Sequence, residues 1–193
     1  MIAIIKYNAG NIRSVQNALN RLGYQSVITD DKAEILSADK VIFPGVGEAS
    51  TAMKYLKEKG LDEVILAIEK PMLGICLGLQ LMCDHSAEGD TKCLGIFDAE
   101  VKKFPPKEKV PHIGWNSFST VSGDLFKGIQ ANSDMYYVHS YYVPENDFSI
   151  ANTDYGIKYS GAIKKDNFYA CQFHPEKSGD IGEQILKNFI KAV

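Results

Sequence analysis

Residues 71–83 read Pro71-Met72-Leu73-Gly74-Ile75-Cys76-Leu77-Gly78-Leu79-Gln80-Leu81-Met82-Cys83. Pro71–Ile75 is a short apolar run of the length and composition of a buried strand. Leu77–Cys83 continues directly as helix. Between them stands Cys76, with a glycine two positions away on either side. A Gly-x-nucleophile-x-Gly turn of this kind holds its central residue in a tight, strained conformation at the strand's end. The flanking glycines are required because neighbouring backbone comes too close for side chains. The thiol then lies at a helix N-terminus, where free N–H groups favour negative charge, and the amide of Leu77 is placed to meet a developing oxyanion. A cysteine beside turn glycines can also be a small buried hydrophobe. The strand–turn–helix setting makes Cys76 a candidate nucleophile instead.

The same alternation extends to both sides. Ile2–Tyr7 reads as a strand, Asn8-Ala9-Gly10-Asn11 as a turn, and Val15, Ala18, Leu19 and Leu22 recur at helical spacing before Gly23 stops the helix. Tyr24–Thr29 and Lys40–Phe43 read as further strands, the latter ended by Pro44-Gly45-Val46-Gly47. Helices over Ala52–Lys59 and Leu61–Glu69 follow. Strand and helix in alternation predict βαβ units and a mostly parallel central sheet flanked by helices, in flavodoxin-like layers. The second half changes character. Segments near Glu100–Phe104, Ser117–Val121, Met135–Val138, Tyr141–Val143, Ile157–Tyr159, Ala162–Lys164 and Phe168–Gln172 read as short strands between Gly, Asn and Asp turns, an antiparallel extension. A final amphipathic helix spans about Ile181–Ala192. Without a linker or repeat, residues 1–193 read as one α/β domain.

Composition narrows the function classes. The formal net charge is −3, with 21 basic and 24 acidic residues, and the lysines are scattered rather than clustered, which argues against nucleic acid as a partner. No run is long and apolar enough to cross a bilayer, and the first residues lack signal-peptide character. Cys76, Cys83, Cys93 and Cys171 form no CxxC pair or disulfide framework, which predicts a reduced, cytoplasmic setting. Cys171 and His174 lack a second ligand pair for a metal, and no phosphate-binding glycine motif follows a strand. Neither metal nor cofactor is expected.

A cysteine nucleophile needs a base within hydrogen-bond reach, and the base needs a third group to set its tautomer. Gln172-Phe173-His174-Pro175-Glu176 ends a late strand and supplies both. His174 can take the thiol proton, Glu176 can accept from the other ring nitrogen, and Pro175 stiffens the turn between them. Pro44-Gly45-Val46-Gly47 ends the strand expected beside the cysteine strand, so an N–H of Val46 or Gly47 can serve an oxyanion hole with Leu77. His85, His112 and His139 have no partner at recognisable spacing and read as structural.

Pro44-Gly45-Val46-Gly47, Gly74-Ile75-Cys76-Leu77-Gly78-Leu79-Gln80 and His174-Pro175-Glu176 together resemble the class I, triad-type glutamine amidotransferases. Within that family, Tyr7-Asn8-Ala9-Gly10-Asn11, Lys109-Val110-Pro111-His112-Ile113-Gly114-Trp115-Asn116 and Gln172–Ser178 resemble the HisH-type glutaminase subunits of imidazole glycerol phosphate synthases. The resemblance covers essentially the whole chain. It implies Cys76 as nucleophile, His174 as acid and base, Glu176 as its orienter, and oxyanion amides from Leu77 and the Val46–Gly47 loop. Gln80, Glu88 and the backbone at Ser140 and Tyr141 would hold glutamine. Asn11, Trp115, Tyr136 and Lys177 would lie at the interface with a HisF-type (β/α)8-barrel cyclase, the other half of a heterodimer. That partner would use the ammonia to form imidazole glycerol phosphate and AICAR in histidine biosynthesis. The resemblance also admits the same glutaminase chemistry serving another synthase, such as a sugar-modifying one. DJ-1-like relatives share the cysteine elbow but lack the late His-Pro-Glu, and a flavodoxin-like binding module would leave the triad spacing without purpose.

Overall fold

A computed structural model describes residues 1–193. The first half runs β1 Ile2–Ile5, α1 Ile12–Arg21, β2 Ser26–Thr29, α2 Lys32–Ser37, β3 Lys40–Gly45, α3 Ala49–Lys59, α4 Leu61–Leu66, β4 Met72–Cys76 and α5 Leu77–Met82. The second half runs β5 Cys83–Ser86, β6 Thr91–Lys92, β7 Phe97–Lys103, β8 His112–Val121, β9 Asp134–His139, β10 Tyr141–Tyr142, β11 Ser149–Asp154, β12 Lys158–Lys165, β13 Phe168–Cys171 and α6 Gly179–Lys191. Nine strands form one sheet in the order β2-β1-β3-β4-β13-β12-β11-β8-β9. The first five are mutually parallel, and the remaining pairings are antiparallel.

The apolar runs are nearly continuous because both faces of the parallel half are covered. Ala3 and Ile5 enter one core, with Met53, Leu56 and Ile65 of α3 and α4. Ile2 and Ile4 enter the other, with Val15 and Leu19 of α1 and Ile185, Leu186 and Phe189 of α6. Alternate side chains of a strand point to opposite faces, so a strand buried on both sides must be apolar at every position.

This parallel half and its antiparallel extension are the architecture expected. Helix α2 and the first five residues of β8, His112–Asn116, were not anticipated, and three further details differ. Ile157–Tyr159 and Ala162–Lys164 form a single strand, β12. The glycine between them lies flat in the sheet, where a Cβ would come within 2.9 Å of Thr153 Oγ1 and 3.3 Å of the Tyr137 hydroxyl. It marks a close approach rather than a turn. Polar β11, not anticipated, buries Asn152, whose Nδ2 donates to Glu145 at 2.8 Å, and Thr153, whose hydroxyl pairs with that of Tyr137 at 2.7 Å. A second sheet, β10-β7-β5-β6, was also not anticipated and stands beside α5.

Register positions the site. Gly45 pairs with Cys76 across β3 and β4, and Cys171 pairs with Ile75 across β13 and β4. The chain segments leaving β3, β4 and β13 therefore emerge side by side at the carboxyl edge of the parallel strands, where open α/β sheets form their crevices. No helix is long and apolar enough to cross a membrane.

Candidate active site

Cys76 has φ 54° and ψ −106°, a conformation that non-glycine residues rarely adopt and that costs on the order of 1–3 kcal/mol. Its surroundings enforce it. A Cβ on Gly74 would lie 2.5 Å from Met82 Sδ, and one on Gly78 would lie 1.9 Å from the Phe43 carbonyl oxygen. Helix α5 thus packs directly on the β3 backbone and leaves the chain no room to relax the elbow. The Cys76 sulfur receives Gln172 Nε2 at 3.6 Å and faces the Val138 carbonyl at 3.9 Å.

His174 follows β13 and is fully buried. Its N–H donates to the Tyr136 carbonyl at 2.9 Å, and its own carbonyl accepts from Ser178 Oγ at 2.6 Å. Pro175 opens a single 3₁₀ turn, Pro175–Lys177, which swings Glu176 back under the imidazole. Glu176 Oε1 lies 2.7 Å from His174 Nδ1. A carboxylate only accepts, so Nδ1 carries the proton and Nε2 is left to face the cysteine. Nε2 is buried and makes no hydrogen bond. Burial pushes the imidazole's pKa down, but the electrostatic pull of the Cys76 sulfur and then of Glu176 outweighs burial. The result is a pKa raised to about 10.

Asn11 belongs to this group. Its Nδ2 donates to Glu176 Oε1 and lies 3.3 Å from His174 Nδ1. It occupies the N-cap position of α1 in a left-handed conformation, φ 73°, yet makes no capping bond. Its side chain serves the buried carboxylate instead.

A cavity of about 270 Å³ opens beside the sulfur, near the lower end of the roughly 300–1,000 Å³ range of small-molecule pockets. Its lining includes Val46, Gly47 and Leu77, expected as oxyanion donors, and Gln80, Glu88, Ser140 and Tyr141, expected around the substrate. Gln80 Nε2 donates to the Tyr141 carbonyl at 3.1 Å and to Gln172 Oε1 at 3.0 Å. Glu88 Oε2 accepts the Ala49 N–H at 2.8 Å, and burial raises the pKa of its carboxyl. The Val46 carbonyl accepts the Gly10 N–H at 3.2 Å, which holds the plane of the Val46–Gly47 peptide.

Trp115, Tyr136 and Lys177 cluster apart from the cavity. Trp115 is 58% exposed and meets Tyr136 edge-on at 6.0 Å, and Lys177 Nζ lies 6.0 Å from the Tyr136 ring. Asn11 lies with the triad rather than in that cluster. Sequence reasoning assigned no role to Gln172, which bonds the sulfur, or to Pro111, Val138 and His139, which complete the cavity wall. Gln172 follows β13 directly and adjoins Phe173, so extended backbone there would point the two side chains to opposite sides. Nothing in sequence spacing marks the other three.

A family model described as class-I glutamine amidotransferase matches residues 3–193. The imidazole glycerol phosphate synthase subunit HisH of Bacteroides fragilis is 60% identical over 193 residues, 98% of each chain being covered. The subunit of the same name from Bacteroides thetaiotaomicron is 57% identical over 192 residues, again with 98% of each chain covered. A solved glutamine amidotransferase superposes with a TM-score of 0.77 at 18% identity, covering 98% of this chain and 97% of that one, a likeness of fold.

Proposed function

We propose, from the premise that this chain belongs to the class-I glutamine amidotransferase family and within it to the HisH subunits of imidazole glycerol phosphate synthase, that it hydrolyses glutamine and delivers the ammonia to a partner subunit. The observation that carries the reading is the strained Cys76 elbow in the wall of a cavity sized for one small molecule, together with the buried His174–Glu176 pair. Identity of 57–60% to HisH subunits favours service in histidine biosynthesis over a sugar-modifying synthase.

Cys76 gives its thiol proton to His174 Nε2, and the sulfur attacks the side-chain amide carbon of glutamine. The oxyanion that forms is met by the amides of Leu77 and the Val46–Gly47 loop, each such donor being worth about 100- to 1000-fold in rate. His174 passes its Nε2 proton to the departing nitrogen, which leaves as ammonia, and a glutamyl thioester remains. Water then attacks the thioester and gives its proton to Nε2. Glutamate departs and the sulfur recovers its starting state. Glu176 keeps Nδ1 protonated throughout, with Asn11 donating to the carboxylate. Gln80, Glu88, Ser140 and Tyr141 hold the substrate's polar ends.

The partner in this reading is a HisF-type (β/α)8-barrel cyclase, docked on the exposed Trp115 with Tyr136 and Lys177. Four free buried thiols accord with a reduced, cytoplasmic setting. The Gly10–Val46 hydrogen bond supports a resting state in which the oxyanion loop is held turned away until partner and ligand engage. The test is ammonia and glutamate release from glutamine, with and without the cyclase and its phosphoribulosyl ligand. Glutaminase activity that needs both additions and disappears in Cys76→Ala is expected. Full turnover by the isolated chain overturns the gating, and silence with that cyclase overturns the partner.

A further inference from the structure

Two buried histidines outside the triad are joined to the nucleophile by an unbroken chain of hydrogen bonds. His112 opens β8 and His139 closes β9, paired across the two strands. His112 Nδ1 lies 3.2 Å from His139 Nε2, and His139 Nδ1 lies 2.8 Å from the Tyr141 carbonyl. That carbonyl also accepts Gln80 Nε2 at 3.1 Å. Gln80 bonds Gln172 Oε1 at 3.0 Å, and Gln172 Nε2 reaches the Cys76 sulfur at 3.6 Å.

The carbonyl at the end of the histidine pair sets the direction of its hydrogen bonds. The Tyr141 carbonyl only accepts, so His139 Nδ1 must carry hydrogen and its neutral ring leaves Nε2 as an acceptor. His112 Nδ1 must then donate to that nitrogen. A proton added to His139 would set two N–H groups against each other, and burial holds both rings neutral, their pKa values pushed down to about 4 for His112 and about 3 for His139. Phe104 packs on both rings at 6.4 and 5.2 Å, Tyr155 stacks on His112 at 3.8 Å, and the Tyr159 hydroxyl lies 3.4 Å from each. Aromatic rings and one hydroxyl thus enclose the pair, of which only His139 reaches the cavity wall.

We propose that His112 and His139 are positioning residues for glutamine hydrolysis. They fix the Tyr141 carbonyl in the cavity wall and, through Gln80 and Gln172, the direction of the Cys76 sulfur. The inference rests on the glutaminase reading of the site. It gives His112 a reach beyond packing, because Ile113 and Trp115, on the same strand, are 60% and 58% exposed, and Ile113 pairs with Val138, whose carbonyl faces the sulfur. A strand that is free to touch another molecule on one face thus holds the catalytic wall with the other.

The test compares wild type, His112→Leu and His112→Asn in the complex with the cyclase. Both substitutions remove the ring, but only asparagine retains a donor at the position of Nδ1. His112→Leu should lower kcat about tenfold with KM within twofold, and His112→Asn should recover kcat to within threefold of wild type. Alkylation of Cys76 by iodoacetamide, followed on its peptide by mass spectrometry, should slow about threefold in the leucine variant alone. Equal kcat and equal alkylation in the two variants, whether both normal or both impaired, would mean packing only and overturn the proposal. A wild-type complex without glutaminase activity would overturn the glutaminase reading, and the alkylation ratio would then decide the histidine pair by itself.

Discussion

Replacing Asn11 separates its place in the triad from the interface role implied by family resemblance. Asn11→Ala removes the donor to the buried Glu176 carboxylate, a hydrogen bond to a charged acceptor worth about 1.5–3 kcal/mol. Asn11 is half-buried, so the lower end, about 1.5–2 kcal/mol, applies. Alanine must also adopt φ 73°, which adds about 1 kcal/mol. The sum is about 3 kcal/mol, whereas Asn11→Gly, free of the conformational cost, should lose about 2. With a urea slope of about 2–3 kcal/mol per molar, the alanine variant's unfolding midpoint should fall by about 1 M. An imidazole less firmly held should lower kcat at least about tenfold, since 1.4 kcal/mol of misalignment suffices for that. Asn11→Asp, placing a second carboxylate against Glu176, should be worse than alanine at neutral pH. Urea unfolding of the isolated chain and glutaminase kinetics of the complex provide the measurements. An Asn11→Ala variant with wild-type stability, altered only in its affinity for the cyclase, would refute the reasoning.

Three further outcomes are expected. Gly78→Ala forces a methyl to within 1.9 Å of the Phe43 carbonyl oxygen and should destabilise the fold by about 3 kcal/mol or more, read as a lowered unfolding midpoint, because backbone rather than a movable side chain is in the way. In Cys76→Ala the charge that does most to raise His174 is gone, so its NMR titration midpoint should fall below about 10. The stability it contributes in wild type, complete below about 6.5 and lost as pH rises through about 10, should accordingly disappear at lower pH in the variant. His112 and His139 have depressed values, so the stability they contribute is complete above about 6.5 and falls as pH drops toward 4 and 3. Thermal melting should show this acid loss, with a shallower slope in His112→Asn.

The geometry of the candidate site was legible where each part of it is local. Gly74 to Gly78 encode the elbow within five residues, since what they exclude, Met82 Sδ and the Phe43 carbonyl, is met wherever that turn packs on its sheet. His174 and Glu176 lie two residues apart across Pro175, and one 3₁₀ turn brings them together without help from elsewhere. The apolar runs of β1, β3 and β4 disclosed a sheet buried on both faces by their lack of alternation. Other features were not local. Gly161 looks like a turn until Thr153 and Tyr137 are seen against it, and β11 looks too polar for a sheet until Glu145 and Tyr137 supply its partners.

The residues that resisted reading act on groups far away in the chain. Asn11 is 165 positions from the carboxylate it serves, Gln172 is 96 from the sulfur it touches, and His112 is 27 from His139. A hydrogen bond depends on distance and direction in space, and neither leaves a period or a motif in the order of residues. The sequence by itself determined the elbow, the paired His174 and Glu176, and the layered α/β sheet, because sterics and burial act through neighbours. Only the tertiary structure decided which polar side chains converge on the sulfur, because β-sheet register sets those contacts.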